Sequence, residues 1–183
     1  MKKLLATSAV LASAIALTAC QTTPNKQDLP AEIQPALKAQ IQTVDVSKAH
    51  LGKMYLRPVQ GGVQVFGKLT GLNPGSTYAI HIHENGTCAS KGKDAGGHFN
   101  PLNKQHGHPS TPESHAGDLP NLTADANGVA SINFVREDIS VDPRVANTVY
   151  NRAFIIHAGA DDYVSQPAGN AGDRMACGVI EEY

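Results

Sequence analysis

Ser76-Thr77-Tyr78-Ala79-Ile80-His81-Ile82-His83-Glu84 is a short run in which apolar and polar residues alternate from Ile80 onward. That period of two is the period of a β-strand, and it places His81 and His83 on one face. The same grain recurs on both sides. IQTVDV (41–46), KMYLRPV (53–59) and GVQVFGKL (62–69) precede the run, and ASINFV (130–135), AFIIHAG (153–159) and ACGVIEE (176–182) follow it. Turn chemistry separates them at Gly61-Gly62, at Asn73-Pro74-Gly75 and at Asn127-Gly128, the last marking a hairpin. The region Arg136 to Asn147 has room for a short helical turn. Short strands with few helices predict an all-β fold, an antiparallel sandwich or flattened barrel.

Between these strands lies Gly97 to Asp118, GHFNPLNKQHGHPSTPESHAGD, which has neither a helical nor an alternating apolar period. It reads as a long loop, and loops of this length are usually functional or disordered. His98, His106 and His115 follow one another at intervals of eight and nine residues, and Asp118 closes the series three later. Three imidazole nitrogens and a carboxylate oxygen form a tetrahedral set that zinc accepts, and a metal would order a loop with little apolar content. A second irregular, Gly-rich loop spans 158–175.

Taken singly, the other histidines read plainly. A His-x-His pair on a strand is common on a solvated face, and a lone His157 after Phe154-Ile155-Ile156 is more often a hydrogen-bonded core residue. Together they read differently. His81, His83, His157 and His98 surround one metal with nitrogen donors, and His98, His106, His115 and Asp118 surround a second. His98, counted twice, must then bind through both ring nitrogens. Residue types alone do not choose the metals, since imidazole suits copper, zinc, nickel and iron. His50 and His108 fall outside both sets and read as surface residues.

The start of the chain, MKKLLATSAVLASAIALTAC, has two lysines and then an apolar run of small residues too short for a stable membrane span. It reads as a secretory signal over residues 1–19. Leu17-Thr18-Ala19-Cys20 resembles a bacterial lipobox, which implies cleavage before Cys20 and lipidation of that residue. Several acyl chains on one residue exceed the marginal hold of a single chain. Residues 21–36, polar with three prolines, read as a tether, leaving 37–183 as the folded domain. The expected location is the bacterial cell envelope, periplasm-facing or on the outer membrane.

Three Cys is an odd count for an exported chain, and setting Cys20 aside leaves Cys88 and Cys177. In an oxidising compartment these two should pair. Closing a loop of that length contributes roughly 4–5 kcal/mol in the chain-entropy picture. Without Lys2 and Lys3 the 15 basic residues become 13 against 16 acidic ones, so no basic balance points to nucleic acid.

At the residues that carry chemistry, the chain resembles the copper/zinc superoxide dismutases. Ala79-Ile80-His81-Ile82-His83-Glu84-Asn85-Gly86 is similar to one signature of that family, and Gly169-Asn170-Ala171-Gly172-Asp173-Arg174-Met175-Ala176-Cys177-Gly178-Val179-Ile180 to the other. Gly97-His98-Phe99-Asn100-Pro101 and His115-Ala116-Gly117-Asp118-Leu119 match segments between them. The resemblance implies an eight-stranded Greek-key barrel of immunoglobulin-like type with two long functional loops. It implies copper on His81, His83, His98 and His157, and zinc on His98, His106, His115 and Asp118. Arg174 would hold the anionic substrate, Asp161 would link a copper His to a zinc His, and Cys88 and Cys177 match a disulfide. The implied activity is disproportionation of superoxide to dioxygen and hydrogen peroxide by cycling of copper, with a proton taken and given at His98.

One departure stands out. Tyr163-Val164-Ser165-Gln166-Pro167-Ala168 carries no charge where some family members carry residues that guide superoxide inward. Lys91 and Lys93 are the candidates for local positive charge, or are simply soluble loop residues. The alternative function is a copper-binding or copper-buffering domain of the same fold with little turnover. Implied partners are superoxide and, through the anchor, a membrane. A homodimer is compatible with the resemblance, and the residues are silent on it.

Overall fold

The computed structural model describes residues 34–183. The signal segment, Cys20 and the tether up to residue 33 lie outside the described residues. The strands are β1 (Leu37–Thr43), β2 (His50–Val59), β3 (Gly62–Leu69), β4 (Thr77–Tyr78), β5 (Ile80–His83), β6 (Leu122–Thr123), β7 (Ala130–Arg136), β8 (Ala153–His157) and β9 (Arg174–Glu182). Seven of them form one sheet in the order β5-β8-β9-β1-β2-β3-β7, and β4 pairs with β6. Every named pairing is antiparallel.

Ala79 alone separates β4 from β5, so these two make one bent strand, and the count becomes the eight expected. β6 runs through a turn, where Asp125 and Val129 are bonded backbone to backbone, into β7 at the other edge of the sheet. The curled sheet is thereby closed by its own chain. Two connections pass between the ends of the strand order with no paired strand on the way, from β3 to the bent β4–β5 strand and from β7 to β8, as a Greek key requires.

The core follows from alternation. Ala39 and Ile41, Met54 and Leu56, and Val63 and Val65 face inward, with polar neighbours outward. β5 and β8 differ in being buried at every position. Ile80, Ile82, Phe154 and Ile156 belong to the core, while His81, His83 and His157 occupy the opposite face, which the long loops cover. Two faces without water are what allow three imidazoles to be held inside.

Two local expectations differ from what is found. IQTVDV is strand only through Thr43, because the Asp45 carboxylate accepts from the Thr43 hydroxyl and the Ser47 N–H and turns the chain there. Arg136–Asn147 contains no helix; Ser140 bridges to Thr148 instead, and Asp142 binds the Arg144 N–H in an Asx turn around Pro143. The turns at Gly61, Gly75 and Gly128 form as read, each glycine with positive φ.

Phe154 is fully buried in the central sheet. Phe154→Ala is expected to cost about 3–5 kcal/mol in chemical denaturation; a loss below about 1 kcal/mol would show that the core is not packed around β8.

Candidate metal centre

His81 and His83 come from β5, and His157 ends β8 where the register with β9 shifts. His98 joins them through a bridge to His83, and Asp118 bridges to His81. His81, His83, His98 and His157 form one buried group whose ligand atoms all lie within 4.8 Å of one another, and His98, His106, His115 and Asp118 form a second.

In the first group four nitrogens are buried with no hydrogen-bond partner: His81 Nδ1, His83 Nε2, His98 Nε2 and His157 Nε2. Orphaned buried polar atoms are costly and rare, so four in one place need a common explanation. The partner of each ring's other nitrogen supplies it. His81 Nε2 lies 2.8 Å from Asp161 Oδ2, His83 Nδ1 2.9 Å from Gly96 O, and His157 Nδ1 3.1 Å from Gly172 O. Each of these acceptors holds the ring proton on the outer nitrogen and leaves a lone pair facing inward. Inward lone pairs on neutral imidazoles are what a cation of the copper or zinc type requires.

The second group is arranged around one oxygen. Asp118 Oδ1 lies 2.8 Å from His98 Nδ1, 3.0 Å from His106 Nδ1 and 3.4 Å from His115 Nδ1. The other oxygen, Oδ2, accepts from the Gly107 and His115 N–H groups, which fixes the carboxylate. Three nitrogens and one oxygen in this arrangement fit zinc. His98 offers Nδ1 to this set and Nε2 to the other, so its ring spans both. Asp161 links the sets a second time, through Oδ2 to His81 and through Oδ1, 2.9 Å away, to His106 Nε2.

The description "Copper/zinc superoxide dismutase (SODC)" matches residues 50–180. The chain belongs to the copper/zinc superoxide dismutase family. A copper-zinc superoxide dismutase of Aquifex aeolicus is 37% identical over 156 residues, which is 83% of this chain and 91% of that protein. One from Arabidopsis thaliana is 39% identical over 132 residues, 69% of this chain and 79% of its own length. A crystal structure of a superoxide dismutase-like protein from Bacillus subtilis superposes with TM-score 0.70 at 34% identity, covering 78% of this chain and 96% of that one. The cofactors of this dismutase-family chain are copper and zinc, and both buried groups suit them.

Arg174 opens β9 directly opposite His157. Its guanidinium is cupped by three backbone carbonyls of the 90–96 segment: Nη2 donates to Gly96 O at 2.6 Å, and Nη1 to Lys93 O at 3.3 Å and to Gly92 O. Gly96 O therefore serves both His83 and Arg174. Cys88 and Cys177 form a disulfide, with Cα atoms 5.8 Å apart, that fastens this same segment to β9. Lys91 and Lys93 are exposed on it. His50 and His108 are exposed and outside both metal groups, as read; the His108 ring packs against Tyr163.

Three positioning residues escaped sequence reasoning. The Asn121 side chain accepts from the Asp161 N–H and donates to the Asp161 carbonyl, both at 2.9 Å. Gln166 grips the His106 backbone in the same way, accepting from its N–H at 2.9 Å and donating to its carbonyl at 2.8 Å. Arg136, buried at the end of β7, donates to the carbonyls of Pro109 and His115 and anchors the histidine loop. No motif marks them, because each acts on a segment distant in sequence.

Burial sets the protonation states. Desolvation pushes His81 down to about 3, His83 to about 2 and His157 to about 4, and lowers His98 as well. His106 is also disfavoured by burial, but its bonds to Asp118 and Asp161 outweigh that and raise it to about 9. Burial would raise Asp118 and Asp161; their histidine partners instead hold both well below the usual carboxylate range.

The metal-stripped protein should show the consequence. His81, His83, His98 and His157 take up protons less readily folded than unfolded, so stability falls as pH drops below about 6.5. His106 has the opposite sense: its contribution is complete below about 6.5 and is lost as pH rises through about 9. Four groups outweigh one, and the denaturation midpoint is expected to be lower at about pH 5.5 than at about pH 7. A midpoint that rises on acidification would contradict neutral buried imidazoles.

Proposed function

We propose that this protein is a working superoxide dismutase of the cell envelope, with copper on His81, His83, His98 and His157 and zinc on His98, His106, His115 and Asp118. The observation that carries the reading is the convergence of four orphaned imidazole nitrogens, each ring pinned from behind, beside an arginine fixed by backbone carbonyls. Copper in that set supplies one-electron exchange with superoxide, oxidising one anion to dioxygen and reducing a second to peroxide.

The chain's own residues do the rest. Arg174 binds the anion; its charge persists at all working pH values, and its fork suits a small oxyanion. The carbonyls of Gly92, Lys93 and Gly96 keep that fork from folding away. His98 Nδ1 is committed to the Asp118 side, so the ring can hold and release a proton only at Nε2, on the side where the anion reacts. Asp161, held by Asn121, keeps the His81 and His106 rings in fixed relation. The uncharged rim at Ser165-Gln166-Pro167-Ala168 leaves attraction of the substrate to Arg174 and to Lys91 and Lys93. Secretion, lipidation of Cys20 and envelope location extend the reading on the strength of residues 1–20.

Pulse radiolysis of the chain loaded with both metals is expected to give superoxide decay near 10⁸–10⁹ M⁻¹s⁻¹, the order of the diffusional ceiling. Tight binding of both metals with decay no faster than in free solution would identify a copper-buffering protein instead. His157→Ala should abolish turnover and leave most zinc binding intact; equal loss of both metals would contradict the ligand assignment. Arg174→Ala should slow decay and flatten its dependence on ionic strength, whereas an unchanged rate would remove Arg174 from its role.

A further inference from the structure

The metal centre is built on β5 and β8, at one end of the strand order; β2 and β3 stand at the other, on the far side of the curled sheet. With Met54, Leu56, Val63 and Val65 turned inward, β2 and β3 present Lys53, Tyr55, Arg57, Phe66 and Lys68 outward. Register sets them in rows: Lys53 faces Lys68, Tyr55 faces Phe66, and Lys38 of β1 flanks Tyr55. The Tyr55 and Phe66 rings stack at 5.5 Å, and the Arg57 guanidinium lies over Phe66 at 5.4 Å.

Three observations give this face a partner. Lys53 and Lys68 are like charges directly opposite each other, which costs stability, and among the described residues neither is in an ion pair. Two carboxylates lie near the cluster, Glu181, 3.7 Å from Lys38, and Asp125, whose charge is felt by Lys68, and the Tyr183 ring packs edge-on against Tyr55 at 5.9 Å. The face is thus positive on a chain that is negative without its first lysines. Aromatic rings interleaved with basic side chains are the composition found at the headgroup level of a bilayer. The chain also enters the domain here. Ala36 N–H bonds to Leu56 O at 2.8 Å, beside Arg57, so the residues that join Cys20 to the domain meet it at the edge of this face.

We propose that the outer face of β1–β2–β3, centred on Lys53, Lys68, Tyr55 and Phe66, docks on an anionic phospholipid surface. The domain is then laid on the bilayer with its metal centre on the far side, open to the aqueous compartment. The inference rests on lipid anchorage at Cys20, which keeps the domain at high effective concentration over the membrane, where individually weak lysine–headgroup attractions suffice.

The test uses the full chain purified from membranes and reconstituted in vesicles of phosphatidylcholine, with or without phosphatidylglycerol. Flotation and the mass of the Cys20 peptide report the anchor; amine labelling of individual lysines, read by mass spectrometry, reports the face. Lys53 and Lys68 should be protected several-fold on phosphatidylglycerol vesicles, lose that protection in high salt and on phosphatidylcholine alone, and leave Lys91 equally reactive throughout. Lys53→Glu with Lys68→Glu should still float while Lys38 loses its protection. A floating chain with Lys53 and Lys68 equally reactive on both lipids overturns the docking and leaves the anchor standing. Protection that tracks protein concentration in the absence of vesicles overturns it in favour of a second copy on this face. An unmodified Cys20 and no flotation remove the anchor and the docking with it.

Discussion

Six imidazoles lie inside this fold, and a buried imidazole is tolerable only when its nitrogens are satisfied. The structure meets that constraint asymmetrically. In the group of His81, His83, His98 and His157 three rings place one nitrogen on an acceptor, at Asp161, Gly96 or Gly172, and leave the other to a cation. In the group around Asp118 three rings converge on one carboxylate oxygen, and its partner oxygen is spent on backbone N–H groups. The two arrangements share His98 and Asp161, so neither can shift without the other. Desolvation keeps His81, His83 and His157 neutral, which is the protonation state a metal ligand needs.

Holding such a site requires that two loops with few apolar residues be ordered. The disulfide, the carbonyl cup around Arg174 and the paired amide contacts of Asn121 and Gln166 do this by tying each loop to a strand or to the other loop. Arg136 is the extreme case, a guanidinium 4% exposed whose donors reach two carbonyls of the histidine loop. Polar contacts serve here because the loops cover the outer face of β5 and β8, where water is excluded and a satisfied hydrogen bond gains strength.

The link between Arg174 and the geometry of the metal site is equally local. Gly96 O accepts from His83 and from Arg174, and the segment that carries it is stapled to β9 by the disulfide. Arg174 and a metal-site imidazole are therefore referred to the same atom. Their relative position does not run through the rim formed by Ser165 to Ala168.

The alternation of STYAIHIHE and its sister runs determined the strands and the common face of His81 and His83, because a period of two is a local property of extended backbone. The ligand types and their spacing in the histidine loop likewise declared a metal site, and the paired Cys88 and Cys177 were legible from their number. Where Thr43 ends β1, and why Arg136–Asn147 forms no helix, turned on Asx turns at Asp45 and Asp142 that compete with propensity. Asn121, Gln166 and Arg136 could not be read at all. Their partners lie 40, 60 and 21 or more residues away, and only closure of the sheet brings them together. Sequence by itself indicated which side chains could bind metal; tertiary structure decided which nitrogen of each ring faces inward, since that depends on an acceptor supplied by a distant segment.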